Sequence, residues 1–122
     1  MSRIRILLVA AFAVLALAVA GVVQASTQTT GKLVGTSGPG FKITLTQNGK
    51  AVKTLTAGSY KITVNDKSSI HNFHLFGPGV NKKTGVPFTG TVAWKVALKK
   101  GSYTYRCYIH FMSGMIGHLK VK

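Results

Sequence analysis

After residue 25 the chain alternates apolar and polar residues with a period of two, the repeat of half-buried β-strands. In 41–46, Phe41, Ile43 and Leu45 fall on one face and Lys42, Thr44 and Thr46 on the other. Asn48-Gly49 follows, a pair that tolerates positive φ and predicts a tight hairpin with a return over 52–55. Gly58 turns the chain into 60–64, where Tyr60, Ile62 and Val64 share a face. A short first strand is predicted at 32–34 and a further one over 70–76. Gly77-Pro78-Gly79, Asn81 and Gly85 mark 77–87 as a loop. Val92, Trp94, Val96 and Leu98 alternate inward over 91–98, Lys100-Gly101 turns the chain into 103–107, and 117–121 closes it. Seven to eight short strands without helical periodicity predict an all-β fold, an antiparallel Greek-key sandwich or barrel. Phe41, Tyr60 and Trp94 read as core.

The N-terminus follows another pattern. Arg3 and Arg5 precede an apolar run over 6–23, and Val23-Gln24-Ala25 places small residues where a signal peptidase cuts. Residues 1–25 read as a secretory signal cleaved after Ala25, or alternatively after Ala20. The run is nearly long enough to span a bilayer, so an uncleaved N-terminal anchor is the other reading. Both place the folded part outside the cytoplasmic membrane, with the arginines inside. The predicted organisation is 1–25 signal or anchor, 26–40 leader and first short strand, and 41–122 the β domain.

Charge narrows the function classes. Asp66 is the only acidic residue, against 16 Lys and Arg. Without Arg3 and Arg5, 14 basic residues leave a net charge of +13. There is no carboxylate pair for glycoside chemistry. No nucleophile elbow accompanies a Ser-His-Asp set, and no phosphate-cradling glycine pattern is present. The dispersed lysines suit an anionic membrane surface, an acidic polymer or an acidic protein partner, or simply keep an exported protein soluble. No basic block with interleaved aromatics points to a specific nucleic acid.

The chemistry concentrates in Cys107-Tyr-Ile-His110-Phe-Met112-Ser-Gly-Met115. A single cysteine cannot close a disulfide within one chain, so an exported thiol is a ligand, a reactive group or a dimer link. Cys107 ends a predicted strand, His110 sits in the loop after it and Met115 opens the last strand. His71 and His74 lie three apart on an earlier predicted strand and point to opposite faces, so only one can join the loop. One thiolate, two imidazoles and a weak thioether form the trigonal donor set of a blue-copper centre. A thioether is a poor zinc ligand, which argues against structural zinc.

Cys107-x-x-His110-x-x-x-x-Met115, with Gly101-Ser-Tyr-Thr-Tyr-Arg-Cys before it and Ile-Gly-His-Leu-Lys-Val after, resembles the ligand loop of cupredoxins of the plastocyanin and pseudoazurin type. His71-Asn72 is similar to that family's His-Asn on the other ligand segment. The resemblance covers roughly 41–122. It implies one type 1 copper held by His71, Cys107, His110 and axial Met115, with Asn72 tying the two ligand segments together by hydrogen bonds. His74 is the competing imidazole, and Met112 is expected near the metal but not on it. His118 and His74 read as polar surface groups.

The resemblance implies a monomeric, non-enzymatic, extracytoplasmic carrier of single electrons between redox partners. Phe76, Pro78, Val80, Phe111 and Met112 would form an apolar docking rim, with lysines steering an acidic partner. Two alternatives are a copper-delivery protein, motivated by the extra donors Met112, His74 and His118, and an envelope interaction module on the same scaffold. Four histidines in all are too few for a multicopper enzyme.

Overall fold

The computed structural model describes residues 18–22 and 29–122. Most of the predicted signal or anchor segment, 1–25, lies outside these. Among the described residues no helix is long and apolar enough to cross a membrane.

Among the described residues ten strands follow in order: β1 Gly31–Ser37, β2 Ile43–Gln47, β3 Lys50–Ala51, β4 Thr54–Leu55, β5 Gly58–Asp66, β6 His74–Gly77, β7 Val80–Lys83, β8 Gly90–Leu98, β9 Gly101–Arg106 and β10 Ile116–Val121. A single 3₁₀ turn, Phe111–Ser113, interrupts the loop before β10. The strands form two five-stranded sheets, β3-β2-β1-β5-β8 and β4-β10-β9-β6-β7. Each is mixed, because β1 runs parallel to β5 and β4 parallel to β10. The purely antiparallel arrangement and the closed barrel are therefore corrected. The cause is that 52–55 is not one returning strand. β3 pairs with β2 in the first sheet and β4 with β10 in the second, so the chain crosses between sheets there.

Period-two burial builds the core. Tyr60, Ile62 and Val64 point inward from β5, Leu33 from β1, Leu75 from β6, Tyr103 and Tyr105 from β9, and Leu119 and Val121 from β10. β1 is longer than the predicted 32–34 and sits between β2 and β5. Its inward row is Leu33, Gly35 and Ser37, and only the first looks like core in the sequence. Gly35 is required by packing: a Cβ there would lie 2.7 Å from Cζ of the buried Phe73 ring.

Other expectations changed for identifiable reasons. The Asn48-Gly49 hairpin forms, with φ of 51° and 76°. Phe41 lies before β2 and is 57% exposed, so it is not core. Trp94 is half-buried against the core edge. The predicted loop 77–87 contains β7, a short edge strand whose side chains do not alternate in polarity. The predicted strand 70–76 begins only at His74. Before it, side chains share the pairing with one backbone bond: the Ser37 hydroxyl donates to Asn72 O at 3.0 Å, Phe73 N–H donates to Thr84 Oγ1 at 2.9 Å, and Thr84 N–H donates to Phe73 O at 3.0 Å. Such bonds satisfy buried main-chain groups without a neighbouring strand.

Candidate metal centre

The inward rows of three adjacent segments run on past the ends of their strands. Tyr103 and Tyr105 on β9 lead to Cys107, Leu119 on β10 leads back to Met115, and Leu75 and Phe73 lead back to His71. All three of these terminal residues are buried. The loop between β9 and β10 contributes His110, which is partly exposed. Backbone bonds close this loop: Cys107 N–H to Met115 O at 3.1 Å, Met115 N–H to His110 O at 3.3 Å and Ser113 N–H to His110 O at 2.9 Å. Gly114 turns the chain with φ 95° after the 3₁₀ turn. That region favours glycine, since a Cβ there meets its own carbonyl.

The structure brings His71, Cys107 and His110 to one point. Cys107 Sγ lies 3.9 Å from His71 Nδ1 and 3.8 Å from His110 Nδ1, and the two Nδ1 atoms are 2.8 Å apart. Met115 is fully buried and joined to both loop ligands through its backbone. The donor set fits a first-row metal ion. An ion about 2.0–2.1 Å from each nitrogen and about 2.3 Å from the sulfur can reach all three atoms, because each edge of the triangle is shorter than the two bonds it spans. The chemistry agrees. Both imidazoles turn Nδ1 inward, and one shared proton can satisfy only that pair, so a cation completes what the groups cannot complete among themselves.

Surrounding contacts hold the donors. Tyr108 N–H donates to Asn72 Oδ1 at 2.8 Å, and Asn72 Nδ2 donates to Thr84 O at 3.2 Å, so Asn72 bridges the His71 segment, the Cys107 loop and the chain after β7. Thr84 Oγ1 donates to Asp66 Oδ2 at 2.8 Å, and Ser68 N–H donates to Asp66 Oδ1 at 3.3 Å. Asp66 is buried because it continues the inward series Ile62, Val64 on β5. Burial pushes its carboxyl above the ordinary carboxylate range, opposed by the Thr84 and Ser68 bonds and by the field of His71. Phe41 packs edge-on against both imidazoles, with centroids 5.3 Å from His71 and 4.8 Å from His110.

Other predicted residues lie elsewhere. His74 points to the opposite side from His71, as expected. It is 8% exposed, however, and its Nε2 lies 2.6 Å from Asn81 Oδ1, so reading it as a surface group is corrected. Met112 is 85% exposed. His118 is exposed on β10 beside Thr104. The predicted apolar rim is also revised: Val80 belongs to the core, and Phe76 and Phe111 flank the Arg106 guanidinium. Phe41, Ile70, Ile109 and Met112 are more than half exposed near the donors, and Tyr108 and Ile116 are exposed to a lesser degree. Sequence reasoning missed Asp66, Thr84, Ser37 and Phe41. For Asp66 the signal was its parity with Ile62 and Val64. For Thr84 and Ser37 there was none.

No family model matches the chain, and no curated protein matches it. Solved structures do. Reduced rusticyanin aligns over 75% of this chain and 78% of its own, with a TM-score of 0.55 and 22% identity. Rusticyanin from Thiobacillus ferrooxidans aligns over 75% and 76%, with a TM-score of 0.53 and 23% identity. The fold is that of the cupredoxins. A multi-copper oxidase from Pediococcus acidilactici also aligns, over 84% of this chain and 29% of the oxidase, with a TM-score of 0.53 and 19% identity. The sandwich thus matches about three quarters of a small protein in one case and less than a third of a larger one in the other. One of the rusticyanin structures is described as a copper protein.

Proposed function

We propose that this chain is an exported blue-copper protein that binds one type 1 copper at His71, Cys107 and His110, with Met115 as the weak axial donor, and carries single electrons between redox partners. The observation that carries the reading is the convergence of one sulfur and two Nδ1 atoms at one end of a cupredoxin sandwich. Copper bound there would supply a one-electron Cu(I)/Cu(II) couple.

The chain's own residues do the rest. Cys107 and His71 are buried, which keeps water from the sulfur and from the inner imidazole. The Asn72 bridge ties two segments 36 residues apart in sequence, which helps hold the donors in position. Donors held in place reorganise little when one electron arrives or leaves. His110 is the donor that reaches the surface, and its ring is the shortest path from the site to a partner. The exposed Phe41, Ile70, Ile109 and Met112 offer a small apolar contact suited to a brief encounter.

The exposed thioether of Met112 favours one second reading, delivery of Cu(I) to an acceptor. Loading the full chain with Cu(II) and recording visible and EPR spectra tests the first. An intense thiolate-to-copper band that Cys107→Ser abolishes and His74→Ala leaves intact supports the assignment. Bleaching by His74→Ala but not by His71→Ala overturns it. Retention of copper against a Cu(I) chelator over many redox cycles supports the carrier, and rapid loss supports delivery.

A further inference from the structure

The second sheet turns one face to the core, and strand register orders what its other face presents. Lys83 on β7, His74 on β6 and Arg106 on β9 are successive partners across three neighbouring strands, so their side chains share that outer face. Phe76 follows in the next row. The guanidinium carbon of Arg106 lies 5.2 Å from the Phe76 ring centre and 4.4 Å from that of Phe111. Its Nε is buried with no hydrogen-bond partner among the described residues. Lys83 Nζ donates to Tyr108 Oη at 3.2 Å and stands 5.2 Å above that ring, which in turn packs 4.9 Å from His74.

Two facts make this face more than a solvated charge. The chain's single acidic residue, Asp66, accepts from Thr84 and Ser68, so no carboxylate side chain remains for Arg106. The guanidinium is also already oriented between two rings, so little rotamer freedom is lost when it binds. A planar fork of donors held this way matches a carboxylate, and most other lysines of this surface are flexible single-point charges. The face borders the donor loop, since Arg106 precedes Cys107 and Phe111 follows His110.

We infer that this face docks an acidic surface of a protein partner, with a carboxylate seated on Arg106 and Lys83 flanking it. A membrane would engage projecting lysines through a diffuse layer of headgroups, whereas this guanidinium is recessed between rings and asks for a discrete planar anion. That the docked protein exchanges electrons rests on the copper reading, and the preference for an acidic surface does not.

The test follows backbone amide resonances of the ¹⁵N-labelled full chain, without metal and again with Cu(I), while hexaglutamate peptide is added. Shifts centred on His74, Phe76, Lys83 and Arg106 in both forms are expected. Arg106→Gln should weaken binding by about tenfold or more, the loss of a charge-assisted bond. Lys83→Gln, at an exposed position, should weaken it by a few fold, and it serves if the first variant fails to fold. Shifts spread evenly over the lysines, equal affinity in the variants, or tighter binding to phosphatidylglycerol–phosphatidylcholine vesicles than to the peptide would overturn the inference. Failure of the blue spectrum with these shifts intact would overturn the copper reading alone.

Discussion

At the scale of single residues, most of the chemistry rests on side chains that look ordinary one at a time. A lone cysteine in a β core is usually packing, and Cys107 differs only because two Nδ1 atoms approach its sulfur. Met115→Leu should keep the copper but raise its reduction potential, because a weak electron donor is lost and the oxidised ion suffers most. Voltammetry of the loaded protein checks the sign. Asp66 yields a second prediction. Its carboxyl titrates above the ordinary range when folded, so the folded state holds the proton more tightly than the unfolded chain does. Stability from this group is therefore greatest at low pH and falls as pH rises from the ordinary carboxylate value through the raised one. Denaturant titrations of the metal-free chain should show the wild type losing stability relative to Asp66→Asn as pH rises above the ordinary carboxylate value. The opposite slope would contradict the burial argument. That Cys107 and His110 meet was legible, because a three-residue spacing at a strand end keeps both in one loop. Thr84 and Ser37 were not, since a hydroxyl that receives or supplies one backbone bond looks like any surface serine or threonine until the fold places it.

At the scale of elements, parity survived where boundaries did not. His71 and His74 part to opposite sides, although only His74 lies in a strand. The side-chain bonds of Ser37 and Thr84, with one backbone bond from Thr84 N–H to Phe73 O, hold 72–73 where a regular ladder is missing. The loop from β9 to β10 depends on the turn at Gly114. Gly114→Ala meets open space, so its cost is backbone strain, about 1–2 kcal/mol. Thermal unfolding of the metal-free protein should show that loss, and copper release from the loaded variant should quicken. At the far end of β9, the Tyr103 hydroxyl lies 3.0 Å from Pro78 O and 2.9 Å from Lys99 O, and accepts from Lys99 N–H at 2.8 Å. Tyr103→Phe should cost about 1–3 kcal/mol by stranding those groups. The copper spectrum should stay unchanged, because this cluster is remote from the donors. A spectral change would mean that the sandwich transmits strain along β9.

The whole molecule is governed by its charge and its sheet order. A formal charge of +15 with one acid makes copies of the chain repel one another. Electron self-exchange should therefore be slow at low ionic strength and accelerate as salt screens the repulsion, whereas reaction with an acidic partner should slow. Stopped-flow and NMR line-broadening measurements across salt concentrations separate the two trends. Composition and alternation were enough to read a β-sandwich and a donor loop, because they depend on local periodicity and residue chemistry. Which strands pair was decided only by tertiary structure. The short β3 and β4, each two residues long, sit in different sheets and β5 returns to the first, so each sheet gains a parallel pair, β1 with β5 and β4 with β10. The same holds for the meeting of His71 with Cys107 across 36 positions, for Phe41 against the imidazoles, and for Lys83, His74 and Arg106 in one row. Spacing along a chain determines which groups within one strand or loop can act together. Juxtaposition across strands depends on register, which emerges only when two sheets bury their apolar faces against each other.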